Sequence, residues 1–522
     1  MKRTRMISGR FAVIAVLTLS MFFCCGCGGT TNDSATGDNA ADGEITDIEL
    51  TPEEVEKMTP YAITVSFLIN EKNKNNYGIT WSLVDDSKNT SGENYVEIIK
   101  KTGDGEPSEE LLEGAEKIAA VRRTEGEYIY CKAEVCSLES GTEYYWRCGN
   151  ALGIYSEIST LTVPESIGEE FTFLHFSDTQ NEEGRSPAQY YHKAVARAVK
   201  EADVDFILHT GDMVQSGKED ALWREMLDSP VLRSTPVMPI SGNHEYWKSY
   251  GSQDGLNETC RHYNITLPAQ DVKNGMYYSF DRGDCHFIML NSGDIPDGIL
   301  WQEQLEWLKK DLSESQAKWT IVGIHEPLYS LGKYGSNPDK NANALLMQRE
   351  LQPILTGRVD LVLQGHDHMV QYTYPLDKDG NVISGSAVRV ETEDGTAYDR
   401  YSLSGGVLYL MSGTAGSQNR NSEVFLGIDD KFAFYFERDK EQTTATDELP
   451  TYSQITVKKE KIILSAPVAA PDFAEIFQGN MCDLIRRGIG ILAAIRSRNI
   501  SFIETIEDLI VRAAGYDVRK KP

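Results

Sequence analysis

The chain has 522 residues, too many for one ordinary domain and enough to build two folded units with tails. Its 79 acidic and 51 basic residues give a formal charge of -28 at pH 7, which opposes binding to nucleic-acid backbones and to anionic membrane surfaces. The same field repels phosphate groups at long range, so a phosphate site on this chain must overcome it locally, and bound divalent cations suit that better than an arginine cradle.

Lys2, Arg3 and Arg5 precede an apolar run from Phe11 to Phe23, followed by Cys24-Cys25-Gly26-Cys27. The run is short for a bilayer span and lacks a basic stop on its far side, so residues 1–27 read as a targeting segment. The small residue before Cys27 and the Gly28-Gly29-Thr30 after it resemble a bacterial lipoprotein signal, although Cys24 stands where an aliphatic residue is usual. That resemblance implies lipidation of Cys27 and an extracytoplasmic protein, on the cell surface or secreted, that meets the membrane only through its N-terminal lipid. Residues 28–58 hold nine carboxylates against a single Lys57 and are expected to form an acidic, disordered linker.

From 61 to 164 the pattern is of short strands, YAITVSFLI, NYGITWSLV, YIYCKAEV and EYYWRCGN, separated by turns such as Ser140-Gly141. Such spacing predicts an all-β sandwich. The stretch Leu138 to Arg147, with Tyr144 at the start of a strand, resembles the tyrosine corner of fibronectin type III-like domains. From 171 to 466 strands alternate with helices, predicted at Pro187–Glu201 with a Tyr190, Val195 and Val199 stripe and at Trp301–Ser313 with Leu305, Leu308 and Leu312. Two strand pairs are expected without intervening helices, one within Met276–Leu290 and one joining Gly406–Met411 to Tyr452–Ala466. This predicts an α/β domain. In 467–522 apolar residues recur at helical spacing, Ile485, Ile489, Leu492 and Ile495, then Phe502, Ile506, Leu509 and Ala513, which predicts a helical extension packing on the core. The six cysteines beyond the targeting segment show no CxxC spacing; Cys131 with Cys148 and Cys260 with Cys285 are conceivable pairs, and free buried thiols are the expectation.

Five motifs carry the chemistry, in this order: Asp178-Thr179-Gln180, Gly211-Asp212, Gly242-Asn243-His244-Glu245, His325, and Gly365-His366-Asp367-His368. Each follows an apolar run: FTFLHF, VDFILHT, TPVMPIS, WTIVGI and VDLVLQ. Short buried strands that end in Gly, Asp, Asn or His deliver ligands to loops at one sheet edge, where α/β folds place their sites. Carboxylates that bridge, neutral imidazoles and a few amide oxygens are what two closely spaced divalent or trivalent ions need to retain positive charge for an anionic substrate.

The ordered set resembles the calcineurin-like metallophosphoesterase superfamily, and with the preceding sandwich the layout is similar to its purple acid phosphatase branch. The resemblance implies a β-sandwich core flanked by helices on both faces. It also implies two metal ions, of Fe, Mn or Zn, with Asp212 bridging them, Asp178 and His368 on the first, and Asn243, His325 and His366 on the second. His244 is left to face the phosphate and assist the leaving group. Two positions depart from the pattern. Gln180 replaces the His or Gly of the first motif and is read either as a weak neutral metal ligand or as a hydrogen-bonding neighbour of the ligands. Gln215 replaces the tyrosine that colours the purple enzymes.

Glu245 and Asp367 are expected to orient neighbouring groups. His175 and His209 are expected to be core residues, and His192, His262 and His286 carry no ligand spacing. Tyr246, Trp247, Tyr329 and Tyr334 are candidate pocket walls, and the stretches 251–271 and 332–343 candidate specificity loops. The expected function is an acid phosphatase-like enzyme in which a metal-bridged hydroxide attacks a small-molecule phosphate monoester in line. The alternatives are a phosphodiesterase or nucleotidase on the same core, or a surface binding protein with a degenerate metal site.

Overall fold

The computed structural model describes residues 50–465 and Tyr516–Val518, except 70–74, 86–91, 104, 106, 166, 167, 169, 185, 247–257, 266–276, 392–396, 417–419, 421–426 and 439–449. The targeting segment with Cys27, most of the acidic linker and both predicted helices of the C-terminal extension lie outside the described residues. The linker's end departs from expectation, because Pro52–Met58 is a helix, α1. Its start is a capping box in which Thr51 and Glu54 satisfy each other's backbone, with Pro52 in the first turn. The acidic composition masked that signature, and Met58 at the other end is fully buried.

Eight strands follow: β1 (Tyr61–Phe67), β2 (Tyr77–Val84), β3 (Asn94–Lys100), β4 (Glu116–Ala119), β5 (Val121–Glu125), β6 (Tyr128–Val135), β7 (Thr142–Asn150) and β8 (Ser159–Val163). They form two four-stranded sheets, ordered β1-β2-β6-β5 and β4-β3-β7-β8, closed over Trp81, Trp146, Ile79, Val96 and Leu161. The Tyr144 hydroxyl accepts a bond from the Glu139 amide at 3.0 Å, fixing the turn into β7. Strands β4 and β5 escaped the sequence pattern because they are mostly exposed and polar, EKIA and VRRTE, with no apolar alternation to detect.

The remaining strands are β9 (Phe171–Phe176), β10 (Phe206–His209), β11 (Val237–Pro239), β12 (Tyr278–Arg282), β13 (Cys285–Leu290), β14 (Trp319–Ile324), β15 (Leu361–Gln364), β16 (Val370–Thr373), β17 (Ala387–Glu391), β18 (Ala397–Tyr401), β19 (Leu408–Ser412), β20 (Phe432–Arg438), β21 (Ser453–Lys458), β22 (Lys461–Ser465) and β23 (Tyr516–Val518). One sheet runs β11-β10-β9-β21-β22, and an eight-stranded sheet runs β12-β13-β14-β15-β19-β16-β20-β23. Their inner faces share a core: Phe171, Phe173, Phe206 and Leu208 meet Phe287, Met289, Ile321, Leu363 and Leu410. The alternate residues of the same strands face outward onto helices. Leu174, Phe176 and Ile207 pack with α2 (Ala188–Glu201) and α3 (Asp220–Leu227), and Ile288, Val322 and Val362 pack with α6 (Gly298–Glu314) and α8 (Ala342–Glu350). Burial on both faces explains why these strands read as unbroken apolar runs.

One expected pairing is wrong. The 406–411 and 452–466 stretches do not pair, because β19 lies between β15 and β16 in the larger sheet while β21 joins β9 in the smaller. β19 is buried throughout and β21 presents only Ile455 and Val457 as an apolar stripe, and neither pattern says which sheet the strand joins. The two sandwiches also share one core. Phe67 of β1 lies edge-on to Phe206 at 5.6 Å between ring centres, and the described chain from Thr51 onward forms one compact unit.

What positions the site is strand direction. Strands β9, β10 and β11 are mutually parallel, as are β13, β14, β15 and β19, so their C-terminal ends emerge along one edge of each sheet. Every motif begins within three residues of such an end.

Candidate metal centre

The motif loops bond to one another before any side chain is considered. The Asp178 amide donates to Gly211 O at 3.0 Å, Gln180 N to Asp212 O at 2.8 Å, and Gly365 N to His325 O at 2.9 Å. Close approach of the second and third motifs demands glycine on both: a Cβ on Gly211, whose φ is +93°, would meet Gly242 Cα at 2.7 Å. Nine described non-glycine residues have positive φ, and five of them are Asp178, Gln180, Asp212, His366 and His368. Each such conformation costs on the order of 1–3 kcal/mol and survives only where the surroundings over-determine it, so strain is concentrated where the donors converge.

Asp212 is central. Its Oδ1 accepts the His244 amide at 2.8 Å, and its Oδ2 faces His325 Nε2 and Gln180 Nε2, each at 3.2 Å. His325 Nδ1 lies 2.7 Å from the Thr210 carbonyl, which only accepts, so that nitrogen carries the proton. The lone pair of Nε2 in the neutral ring then points at Asp212 Oδ2, at Asn243 Oδ1 (3.1 Å) and at His366 Nδ1 (3.2 Å). Two oxygen acceptors, Asp212 Oδ2 and Asn243 Oδ1, facing that lone pair are stable only around a positive charge. Donors held about 2.1 Å from a common ion stand roughly 3.0–3.5 Å apart, which is the spacing observed. Asp212, His325 and His366 also form a ligand-competent group with donor atoms within 4.8 Å of one another.

Beside it, Asp178 Oδ1 lies 3.3 Å from His368 Nε2, both residues being fully buried. The Asp178 carboxylate is held by the His366 amide at 2.9–3.0 Å and by Ser177 Oγ at 2.5 Å. The residues therefore fit a cation held by Asp212, His325 and His366 with Asn243 beside them, and Asp178 and His368 make a second buried carboxylate–imidazole pair. Gln180 enters through its amide nitrogen, which donates to Asp212 Oδ2, so in this structure it steadies the central carboxylate.

The electrostatics agree. Burial pushes both aspartates up, but the imidazoles win: His368 and His325 bring Asp178 down to about 2, and His325 and His244 hold Asp212 well below the carboxylate range. Burial opposes charge on His325, yet Asp212 and Asp178 push it up to about 10, so without a metal ion a proton takes the cation's place. His366 is driven down to about 3 by burial.

His244 stands apart from the ligands. Its Nδ1 donates to Gln215 O at 2.9 Å, leaving Nε2 directed at the site, 3.8 Å from Asp212 Oδ2, with 13% of the side chain exposed. Gln215 contributes here through its backbone. Glu245 accepts four amides, from Asp212, Met213, Val214 and Gly242, at 2.7–3.2 Å. Asp367 accepts those of Tyr334 and Gly335.

Other residues singled out in the sequence sort plainly. His175 and His209 are buried beneath the site, bonded to Thr210 and Ser412 and to Thr179, and burial drives both down to about 3. His286 lies between Asp281 and Asp311. Tyr329 is a core residue against Tyr409, and Tyr246 is buried, whereas Tyr334 packs on the His366 ring at 4.0 Å between centres. Trp247 lies outside the described residues. The 332–343 stretch is no open loop: it holds α7 (Lys333–Ser336) and the start of α8, with Gly332 packed against Asp367. Cys131, Cys148 and Cys285 are free, buried thiols.

Sequence reasoning missed Thr414, whose hydroxyl donates to Asp178 O at 2.5 Å, and Ser177. Thr414 ends a sixth apolar run, LYLMSGT, with the same strand-to-loop grammar as the five motifs. It also missed two cations at the rim. Lys333 Nζ lies 5.3 Å from the Tyr334 ring centre, and the exposed Arg420 bonds His368 O through its amide while its guanidinium favours the ionised form of Asp367.

Residues 171–370 match the family model described as calcineurin-like phosphoesterase. That stretch is thus similar to a calcineurin-like phosphoesterase domain. Among curated proteins it is 27% identical over 247 residues to purple acid phosphatase 22 of Arabidopsis thaliana, covering 44% of this chain and 50% of that one. It is 26% identical over 216 residues to tartrate-resistant acid phosphatase type 5 of Sus scrofa, covering 37% and 62% respectively. The chain thus spans between half and two thirds of the length of these relatives. Among solved structures, a purple acid phosphatase from yellow lupin (Lupinus luteus) seeds superposes with a TM-score of 0.57 at 18% identity, over 79% of this chain and 72% of that one. The phosphoesterase domain therefore sits in a fold shared with the purple acid phosphatase branch.

Proposed function

We propose that the chain is an extracytoplasmic, dinuclear-metal phosphatase acting on small phosphate monoesters, anchored by lipid at Cys27, with a fibronectin type III-like sandwich ahead of its catalytic domain. The observation that carries this reading is the convergence of Asp212 Oδ2, Asn243 Oδ1, His325 Nε2 and His366 Nδ1 on one point, beside the Asp178 and His368 pair. Two bound cations would supply a nucleophile at ordinary pH and neutralise the phosphate oxygens. The protein's own groups do the rest. Glu245 holds the Asp212 turn and, through the Gly242 amide, the turn that leads into Asn243. Thr210 fixes the His325 tautomer so that its lone pair faces inward. His244, oriented by Gln215 O, presents Nε2 at the open side, where a protonated ring donates to the leaving oxygen. Lys333 and Arg420 offset the chain's acidic field at the rim and meet the incoming anion.

The test is turnover of a chromogenic phosphate monoester and of its diester analogue, using chain from residue 28 onward with manganese, iron or zinc, and with chelator as control. Chelator-sensitive monoester turnover is the expected result. Preference for the diester would make the protein a phosphodiesterase, and no turnover with any metal would favour a binding role with a degenerate centre.

A further inference from the structure

The segment from Glu258 to Asn264, which contains the short helix α5 (Glu258–His262), lies between the N-terminal sandwich and the metal centre and bonds to both. On the sandwich side, Lys132 of β6 is a half-buried lysine whose Nζ donates to Tyr263 O at 2.7 Å and also to Cys260 O, capping the carbonyl end of α5. Thr64 Oγ1 of β1 donates to His262 O at 2.5 Å, Ser66 Oγ to Asn264 O at 3.2 Å, and Asn264 Nδ2 returns a bond to Ala133 O at 3.0 Å. Arg261 pairs with Glu125 of β5 at 2.6 Å.

Two routes lead from this segment to the third motif. Ser241 Oγ, one residue before Gly242, donates to Thr259 Oγ1 at 2.9 Å. The His262 ring stacks on Trp223 at 4.4 Å between centres, the Trp223 indole N–H donates to Gly217 O at 2.8 Å, and Gly217 N donates to His244 O at 3.1 Å. Both end on the turn that carries Asn243 and His244. Buried polar bonds of this kind have one satisfied arrangement, so they transmit position.

We propose that the N-terminal sandwich is a positioning part of the metal centre: Lys132 and Thr64 fix Glu258–Asn264, and Thr259 and His262 in turn fix the turn holding Asn243 and His244. The sandwich is therefore not a separable spacer. Lys132 and Thr259 are positioning residues, acting through Ser241 and Gly217 and touching no substrate.

This inference rests on the metal-phosphatase reading, and metal binding separates their failures. Manganese or zinc affinity would be measured by titration calorimetry, alongside kcat, KM and melting temperature, for the full chain and for Lys132→Met, Thr259→Val and Thr259→Ser. Thr259→Val should weaken the second ion and lower kcat roughly tenfold each, with KM nearly constant, and Thr259→Ser should restore both, as for other residues that orient metal ligands. Lys132→Met should do the same from the sandwich side. If the wild-type chain binds no metal, the functional reading fails. If wild type binds two ions but Lys132→Met and Thr259→Val lower only the melting temperature, leaving metal affinity and kcat unchanged, the positioning role is overturned. Should Lys132→Met fail to fold, Thr64→Val, which removes the β1 bond to His262 O, takes its place with the same two outcomes.

Discussion

Replacing Glu245 by Gln tests whether the loops of the second and third motifs are tied together by this carboxylate. Oε1 accepts the amides of Met213 (2.7 Å) and Val214 (3.2 Å), and Oε2 those of Asp212 (2.8 Å) and Gly242 (2.7 Å). Glutamine keeps the shape but turns one oxygen into NH2, so two acceptances become donor–donor contacts. Hydrogen bonds to a charged group contribute about 1.5–3 kcal/mol each, so the loss is about 3–6 kcal/mol. Opposing this, burial and then Asp212 push Glu245 up from 4.5 to about 7, so holding its charge costs the fold about 3 kcal/mol that the amide relieves. Bound cations cancel the Asp212 share of that cost and shrink the relief. Lost bonds therefore win, by about 2 kcal/mol, and because the compact unit from Thr51 onward is large, the melting temperature of the metal-loaded protein should fall by only roughly 2–3 °C. Activity should fall at least tenfold, because Asp212 and Gly242 lose their anchor. A Glu245→Gln protein melting at or above the wild-type temperature would show that the burial cost dominates and that this reasoning has the wrong sign.

His244→Asn should keep both metals and a near-normal KM while kcat falls about 10²- to 10⁴-fold, the range for losing a general acid; loss of metal would instead place His244 among the ligands. His286, with 3% of its side chain exposed between Asp281 at 2.6 Å and Asp311 at 2.8 Å, is pushed up to about 9 against burial. Being raised, it stabilises the fold fully below its ordinary 6.5 and loses that contribution, about 3 kcal/mol, as pH rises through about 9; melting curves of wild type and His286→Gln should converge by pH 10, and parallel curves would refute this. With Gln215 in the tyrosine position, the iron-loaded protein should show no intense visible band, and a strong band bleached by mild reduction would contradict that.

The site was more legible than the scaffold that holds it. Ligand chemistry needs particular residue types at strand ends, so Asp178, Asp212, Asn243, His325, His366 and His368 stand out in one dimension, and the structure brings them together. Partner choice among buried strands does not: β19 is buried throughout and β21 carries a single apolar stripe of Ile455 and Val457, and nothing local says which sheet each joins. Exposed edge strands β4 and β5 have no alternation to read, and α1 was hidden by acidic residues that serve as its cap and first turn. Thr414, Lys132 and Thr259 act across 236, 128 and 18 residues of sequence separation, through bonds that composition and spacing do not encode.

The strained ligand loops bear on what happens when metal is removed. Five motif residues hold left-handed backbone angles, yet those angles are fixed by bonds that involve no ion: Asp178 N to Gly211 O, Gln180 N to Asp212 O, Asp212 N to Glu245, and His366 N to the Asp178 carboxylate. Charge is also balanced without metal, since Asp212 and Asp178 raise His325 to about 10 and a proton there replaces a cation. Chelation should therefore leave far-UV circular dichroism unchanged, in contrast to small domains whose folding energy is metal binding itself. Because Asp212 and Asp178 hold His325 up to about 10 without metal and a ligand imidazole is neutral, reloading should release at least one proton per protein, with any from metal-bound water adding to it. Calorimetry in buffers of different ionisation enthalpy measures that number. No proton release would mean that His325 is not a ligand, and loss of secondary structure on chelation would mean that metal binding builds the site.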